Sequence, residues 1–241
     1  MITVDEALAH LFSLVAPLDT EEVPLQNASG RVMATDAVAR RDQPPFAASA
    51  MDGYAVAADA VRPGARFTVI GEAAAGHAFD GPVGAGQAVR IFTGAPVPAG
   101  TDRVVIQEDV IRDGDTITLG DALDDNAYVR PAGGDFHVGQ RLEAPRTLTP
   151  ADIALLASMN IPAVTVRRKP RVALISTGDE LVMPGDTPGP DQIIASNSFG
   201  LQAMLRDLSA EARLLPIARD TRASLETAFS LADDADLLIT I

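Results

Sequence analysis

What most limits the fold of this chain is a change of hydrophobic period partway along it. From Glu22 to about Leu142 the sequence runs in short β-prone stretches, 67–70, 88–92 and 104–106 among them, each cut off by Gly, Pro or Asp. Punctuation this frequent leaves little room for helices, so the region is expected to be mostly β. The run around Val110 and the run 116–119 flank Arg112-Asp113-Gly114-Asp115, which predicts a hairpin. Beyond Pro170 the pattern becomes strand (172–175), helix (about 198–208), strand (about 213–217), helix (about 222–231) and strand (236–241). That order predicts a parallel sheet with helical crossovers. Two helices stand outside these regions. Residues 3–15 place Val4, Ala7, Leu8, Leu11, Leu14 and Val15 at helical spacing behind a Thr3/Glu6 capping box, and Thr149-Pro150 opens a helix that runs to about Asn160 and closes at Pro162.

With 241 residues and 47% hydrophobic content the chain can bury real cores, in one large or two modest domains. No run of 18 or more apolar residues occurs and no basic segment precedes an apolar stretch at the start, so the expected location is the cytoplasm. The formal net charge of −14 argues against nucleic acid or anionic lipid as the main partner. All the basic residues but Lys169 are Arg. Arg grips phosphate with two parallel bonds, so a phosphorylated small molecule remains compatible with an acidic chain, especially where a divalent cation bridges carboxylates to the ligand. Cys is absent, which excludes disulfides and thiolate metal sites.

Four segments set a carboxylate or hydroxyl among Gly and Pro. In Pro44-Pro45-Phe46-Ala47-Ala48-Ser49-Ala50-Met51-Asp52-Gly53-Tyr54, the Asp52-Gly53 pair taken alone reads as a turn. In Ile91-Phe92-Thr93-Gly94-Ala95-Pro96-Val97-Pro98 a strand ends in a loop that presents a hydroxyl and free N–H groups to an anion, or in an ordinary Pro-bounded loop. Arg130-Pro131-Ala132-Gly133-Gly134-Asp135 places a cation and a carboxylate around a Gly pair, equally a solvated loop with an incidental ion pair. Ser176-Thr177-Gly178-Asp179-Glu180-Leu181 follows the strand 172–175 directly. A polar turn at the C-terminal end of a parallel strand is where doubly wound folds bind ligands, so here the functional reading leads.

Taken together and in this order, Ser-x-Met-Asp-Gly-Tyr, Thr-Gly-Ala-Pro-x-Pro, Arg-x-x-Gly-x-Asp and Ser-Thr-Gly-Asp-Glu-Leu resemble the molybdopterin molybdenumtransferases, the MoeA and gephyrin E-domain family. Ser196-Asn197 and Arg219-Asp220 fit the same pattern. The resemblance implies an α/β plus mostly-β fold: an elongated N-terminal part over 1–168 with a β-rich lid inserted at about 43–140, then a three-layer molybdopterin-binding α/β domain from Lys169 onward. It further implies a homodimeric cytoplasmic transferase that inserts molybdenum from molybdate into adenylylated molybdopterin and releases AMP, with Mg²⁺ as the divalent cation. By the same resemblance Asp52, Thr93, Asp135 and Glu180 are catalytic. Ser176, Thr177, Gly178, Asp179, Ser196, Asn197 and Asp220 bind substrate, and Asp52, Glu180 and Asp220 hold the metal.

Relatives of this kind continue past the strand 236–241 into a Gly-Gly-x-Ser-x-Gly-x-x-Asp loop, more α/β elements and a C-terminal β domain. The resemblance therefore implies a chain truncated within the α/β domain and inactive alone, with part of the apolar Leu237-Leu238-Ile239 surface uncovered. The competing reading is a scaffold or partner-binding module without catalysis. Against it, the receptor groove of such scaffolds involves the C-terminal domain, and no long linker or Pro-rich tether is present.

Overall fold

Each β-prone run named above becomes a strand of one six-stranded sheet in the computed structural model, which describes residues 2–241. The neighbour order is Arg103–Ile106, Gly53–Val56, Gln87–Ile91, Arg66–Ala73, Thr116–Leu119 and Val110–Asp113. All pairs are antiparallel except Arg66–Ala73 with Gln87–Ile91. Thr116 pairs with Asp113, so the predicted hairpin turns on Gly114-Asp115. Side chains alternate across a strand, and here both faces are covered. Tyr54, Val56, Phe67, Ala88, Val105, Ile117 and Leu119 form a core on one face, while Ala55, Ala73, Val89, Ile91 and Val104 form a second core on the other. That double burial explains why Gly53–Val56 is buried at every position instead of alternating with water.

This sheet belongs to one of two compact units, formed by 37–142 and 155–161; the other comprises the residues up to Asp36, 143–154 and 162–241. The second unit holds an antiparallel sheet ordered Thr20–Pro24, Ala163–Arg167, Val32–Met33, Arg146–Thr147. It also holds a parallel sheet ordered Glu211–Leu214, Arg171–Ile175, Leu237–Thr240. Helices α3 (Asn197–Asp207) and α4 (Arg222–Ser230) make the crossovers between these parallel strands, as the strand-helix alternation requires. The edge strand Glu211–Leu214 starts two residues before the expected 213–217 and stops at Leu214. Pro216, which has no N–H to give a ladder, lies just beyond.

Helix α1 (Val4–Ser13) starts as predicted: Thr3 Oγ1 accepts from Glu6 N at 3.2 Å, and Glu6 Oε2 accepts from Thr3 N at 2.7 Å. None of its residues is buried, and Leu8 and Leu11 of its apolar stripe stand in solvent. Helix α2 (Pro150–Ser158) has the same kind of start, with Asp152 in the place of Glu. Among the described residues no helix is long and apolar enough to cross a membrane. In the parallel sheet Leu237 is 50% exposed, while Val172, Ala173, Leu174 and Ile175 of the central strand are buried.

The parallel sheet is tied at its entry by Asp236. Its two carboxylate oxygens accept from Arg168 Nη1 and Nη2 at 2.7 and 2.8 Å, and one also accepts from Arg171 N at 2.7 Å. Arg168 first and the Arg171 N–H second hold this carboxyl well below the usual carboxylate range. A depressed folded pKa stabilises the fold fully above the unfolded value and loses that contribution as pH falls through the folded one. Thermal stability is therefore expected to be flat above about pH 4 and to drop below it. Asp236→Asn should be less stable at neutral pH and should lose less on acidification, as read by melting temperature from pH 7 to 2. An acid limb as steep as that of the parent would show that other carboxylates carry it.

Candidate functional site

Three of the four sequence motifs meet in the first unit. Ala48–Ser49 pairs with Val129–Arg130, and Ala48 also bridges to Pro96. Ser49 N donates to Ala95 O at 2.9 Å and Ser49 O accepts from Gly94 N at 2.8 Å. The buried Ser49 hydroxyl donates to Met51 O at 2.6 Å and so shapes the turn that carries Asp52. Asp52 reaches from that turn to the next motif: its Oδ1 accepts from both the N–H and the hydroxyl of Thr93, each at 2.8 Å.

These bonds set the charge state. The Thr93 N–H first, then its hydroxyl, and less strongly the Arg90 guanidinium hold the Asp52 carboxyl below the usual range, against a smaller opposing effect of burial. Asp52 is thus an ionised acceptor at neutral pH, with Oδ2 free of any hydrogen bond among the described residues. The single Thr93 hydroxyl proton is directed at Asp52, so toward an incoming oxyanion Thr93 offers a proton only by leaving Asp52. Asp135 is held by one nitrogen of Arg130, 2.8 Å from each carboxylate oxygen, with both side chains about half exposed.

The fourth motif lies in the second unit, at the C-terminal end of the central parallel strand. Ser176 O accepts from Ala218 N at 2.9 Å, Gly178 N donates to Ala218 O at 3.0 Å, and Thr177 N and Oγ1 donate to Ile241 O at 2.8 and 3.1 Å. Ser176, Thr177 and Glu180 line a cavity of about 340 Å³ together with Ser196 and Asn197, where α3 begins, and the apolar Leu181, Ile193 and Ile194. This volume falls at the small end of small-molecule pockets. Hydroxyls, an amide and one carboxylate around a partly apolar floor suit a flat polar ligand.

Asp179 and Asp220 sit beside this cavity without lining it: Asp220 N donates to Asp179 Oδ1 at 3.3 Å. Among the described residues no three His, Asp or Glu side chains come together as a metal cage. Mg²⁺ needs no such cage, since it is commonly bound by one or two carboxylates plus substrate phosphates and waters. Each within its own unit, the free Oδ2 of Asp52 and the exposed carboxylate of Glu180 are single carboxylates of the kind that mode uses.

Two arginines take parts that the sequence reading did not assign to them. Arg219 Nη1 donates to the carbonyls of Gly178, Asp179 and Leu181 at 3.3, 2.8 and 3.1 Å, clamping the fourth motif from across the sheet. Arg90 lies against the rings of Tyr54 and Phe92, next to Asp52. The only sequence signal for Arg90 is a charge in the apolar run Ala88-Val89-Arg90-Ile91. Arg219 had a signal in its position before Asp220, but its grip on the loop depends on pairing that only the fold reveals.

The family model described as MoeA N-terminal region (domain I and II) matches residues 2–160. A molybdopterin molybdenumtransferase of Haemophilus influenzae is 38% identical over 244 residues, covering 100% of this chain and 60% of the relative. One from a Nostoc species is 37% identical over 252 residues, covering 100% and 58%. Among solved structures, two of a molybdopterin biosynthesis MoeA protein of Pyrococcus horikoshii superpose over 100% of this chain. Their TM-scores are 0.83 and 0.88 at 32% and 31% identity, and 63% and 66% of the matched chains are covered. The chain thus spans about 60% of the length of the curated relatives it matches.

Proposed function

This chain belongs to the MoeA family, and from that premise we propose that it acts in molybdenum cofactor biosynthesis, as the part of a molybdenumtransferase that takes up adenylylated molybdopterin and molybdate and releases AMP. The observation that carries this reading is the Asp52–Thr93 pair, an ionised carboxylate locked by two 2.8 Å bonds at the junction of three motifs. Cleavage of a phosphoanhydride asks for fixed carboxylates and for donors to phosphate, and the pterin itself supplies the sulfurs that receive molybdenum. Asp52 and Thr93 position the reacting phosphate, Asp135 orders the loop beside them through Arg130, and Glu180 acts from the pterin side. Ser176, Thr177, Gly178, Asp179, Ser196 and Asn197 receive the pterin, and Asp220 fixes Asp179. Asp52 in one unit, and Glu180 with, on the family pattern, Asp220 in the other, are the carboxylates that would hold Mg²⁺, which would neutralise phosphate charge.

With this reading go a β-rich lid at about 43–140 inserted in an elongated part that ends near Arg168, and a molybdopterin-binding domain from Lys169. A homodimer in the cytoplasm goes with it too. The test is AMP release on mixing the protein that carries this sequence with adenylylated molybdopterin and molybdate. Stoichiometric AMP that depends on molybdate is expected. Binding of the adenylylated pterin with no AMP released under any divalent cation would leave a binding module and overturn the enzymatic reading.

A further inference from the structure

We propose that Arg90 is the positioning residue of the Asp52 site, holding the Asp52-Gly53 turn and Gln107 in one frame so that Asp52 meets Thr93 while its second oxygen stays open. The inference rests on the reading of Asp52 given above and assigns the part of the site that organises it. Arg90 stands in the strand Gln87–Ile91, directly opposite Tyr54. Its guanidinium carbon lies 5.2 Å from the Tyr54 ring centre and 4.6 Å from that of Phe92, two residues on along the same face. Stacking on two rings fixes the plane of a guanidinium and leaves its N–H groups aimed along fixed lines.

Those lines end on the turn. Nη1 donates to Gly53 O at 2.9 Å, and Nη2 donates to Gln107 Oε1 at 2.6 Å. Gln107 in turn donates its N–H to Asp52 O at 3.1 Å. One side chain therefore reaches the backbone on both sides of the Asp52-Gly53 peptide, once directly and once through Gln107. Glu72 stands opposite Arg90 on Arg66–Ala73, and Glu108 Oε1 accepts from Gln107 Nε2 at 3.2 Å. A Lys ammonium would retain the charge but neither the plane nor the two-directional donation.

The test uses Arg90→Met, which keeps the stem packed on the rings, and Arg90→Lys, read first by NMR. Amide exchange at Thr93 and Gln107 is expected to speed up by about tenfold or more in both variants. AMP release should lose kcat by about tenfold or more with KM within about twofold, and Arg90→Lys should recover little of it. If Arg90→Met fails to fold, Gln107→Leu removes only the second arm and should move the same amides in the same direction. Unchanged exchange at Thr93 and Gln107 in a folded variant overturns the proposal whatever the turnover. Altered exchange with unaltered turnover leaves Arg90 as the organiser of the turn and removes Asp52 from the reaction instead.

Discussion

Replacing Asp52 with Ala is expected to cut AMP release by at least about 100-fold while leaving the melting temperature unmoved. The two halves of this result have different physical sources. Asp52 is half-buried and its bonds run to Thr93, an exposed residue whose N–H and hydroxyl turn to water when the carboxylate goes, so the cores on either side of the sheet are untouched. What disappears is the fixed anion that joins the two motifs, and with it the Thr93 hydroxyl's orientation. Asp52→Asn separates the roles. Its amide oxygen still accepts from Thr93, so positioning survives and charge is lost. Turnover of Asp52→Asn close to that of the parent would assign Asp52 to Thr93 alone, whereas turnover as low as that of Asp52→Ala would mean that the charge itself is used. Equal activity of Asp52→Ala and the parent would take Asp52 out of the site.

Much of this frame was legible along the chain because it is written in local chemistry. The caps at Thr3 and Thr149, the Gly114 turn and the βαβαβ order each depend on residues within a few positions, and all are present in the fold. What was not legible depends on distant pairing. The strand Ala163–Arg167 is supported by Thr20–Pro24 and Val32–Met33 from the far end of the chain, and nothing near it announces those partners. Arg90 illustrates the same limit at the site. Its placement two residues before Phe92 shows a shared face, but its value lies in standing opposite Tyr54, a fact of register. The four motifs carried the resemblance, and the pairing of Ala48–Ser49 with Val129–Arg130, together with the Ala48 bridge to Pro96, is what unites three of them.

Register also decides the second large effect, at Gly53. A Cβ added there would stand 2.0 Å from Val105 O and 3.0 Å from Ile106 Cα, both backbone atoms of the neighbouring strand. No rotamer relieves such a contact, because the Cβ is fixed by the backbone and its neighbours belong to a hydrogen-bonded ladder in which Gly53 faces Ile106 and Tyr54 faces Val105. Either the strands Gly53–Val56 and Arg103–Ile106 part locally or the Asp52-Gly53 turn moves. The expected cost of Gly53→Ala is about 2–4 kcal/mol, the upper range for an overpacked site, and the melting temperature should fall by roughly 5–15 °C. The control is Gly114→Ala in the hairpin turn. Gly114 has φ +58° with nothing near its Cβ direction, so only the left-handed backbone is penalised, at about 1 kcal/mol. The two substitutions add the same methyl group to the same sheet, so their difference isolates the close approach of strands beside Asp52. Turnover separates them further: Gly53→Ala displaces the turn that carries Asp52 and should lose activity even well below its melting temperature, whereas Gly114→Ala should keep it. Equal melting temperatures and equal turnover in the two variants would show that the ladder yields freely at Gly53, and that the tight packing there does not hold the site in place.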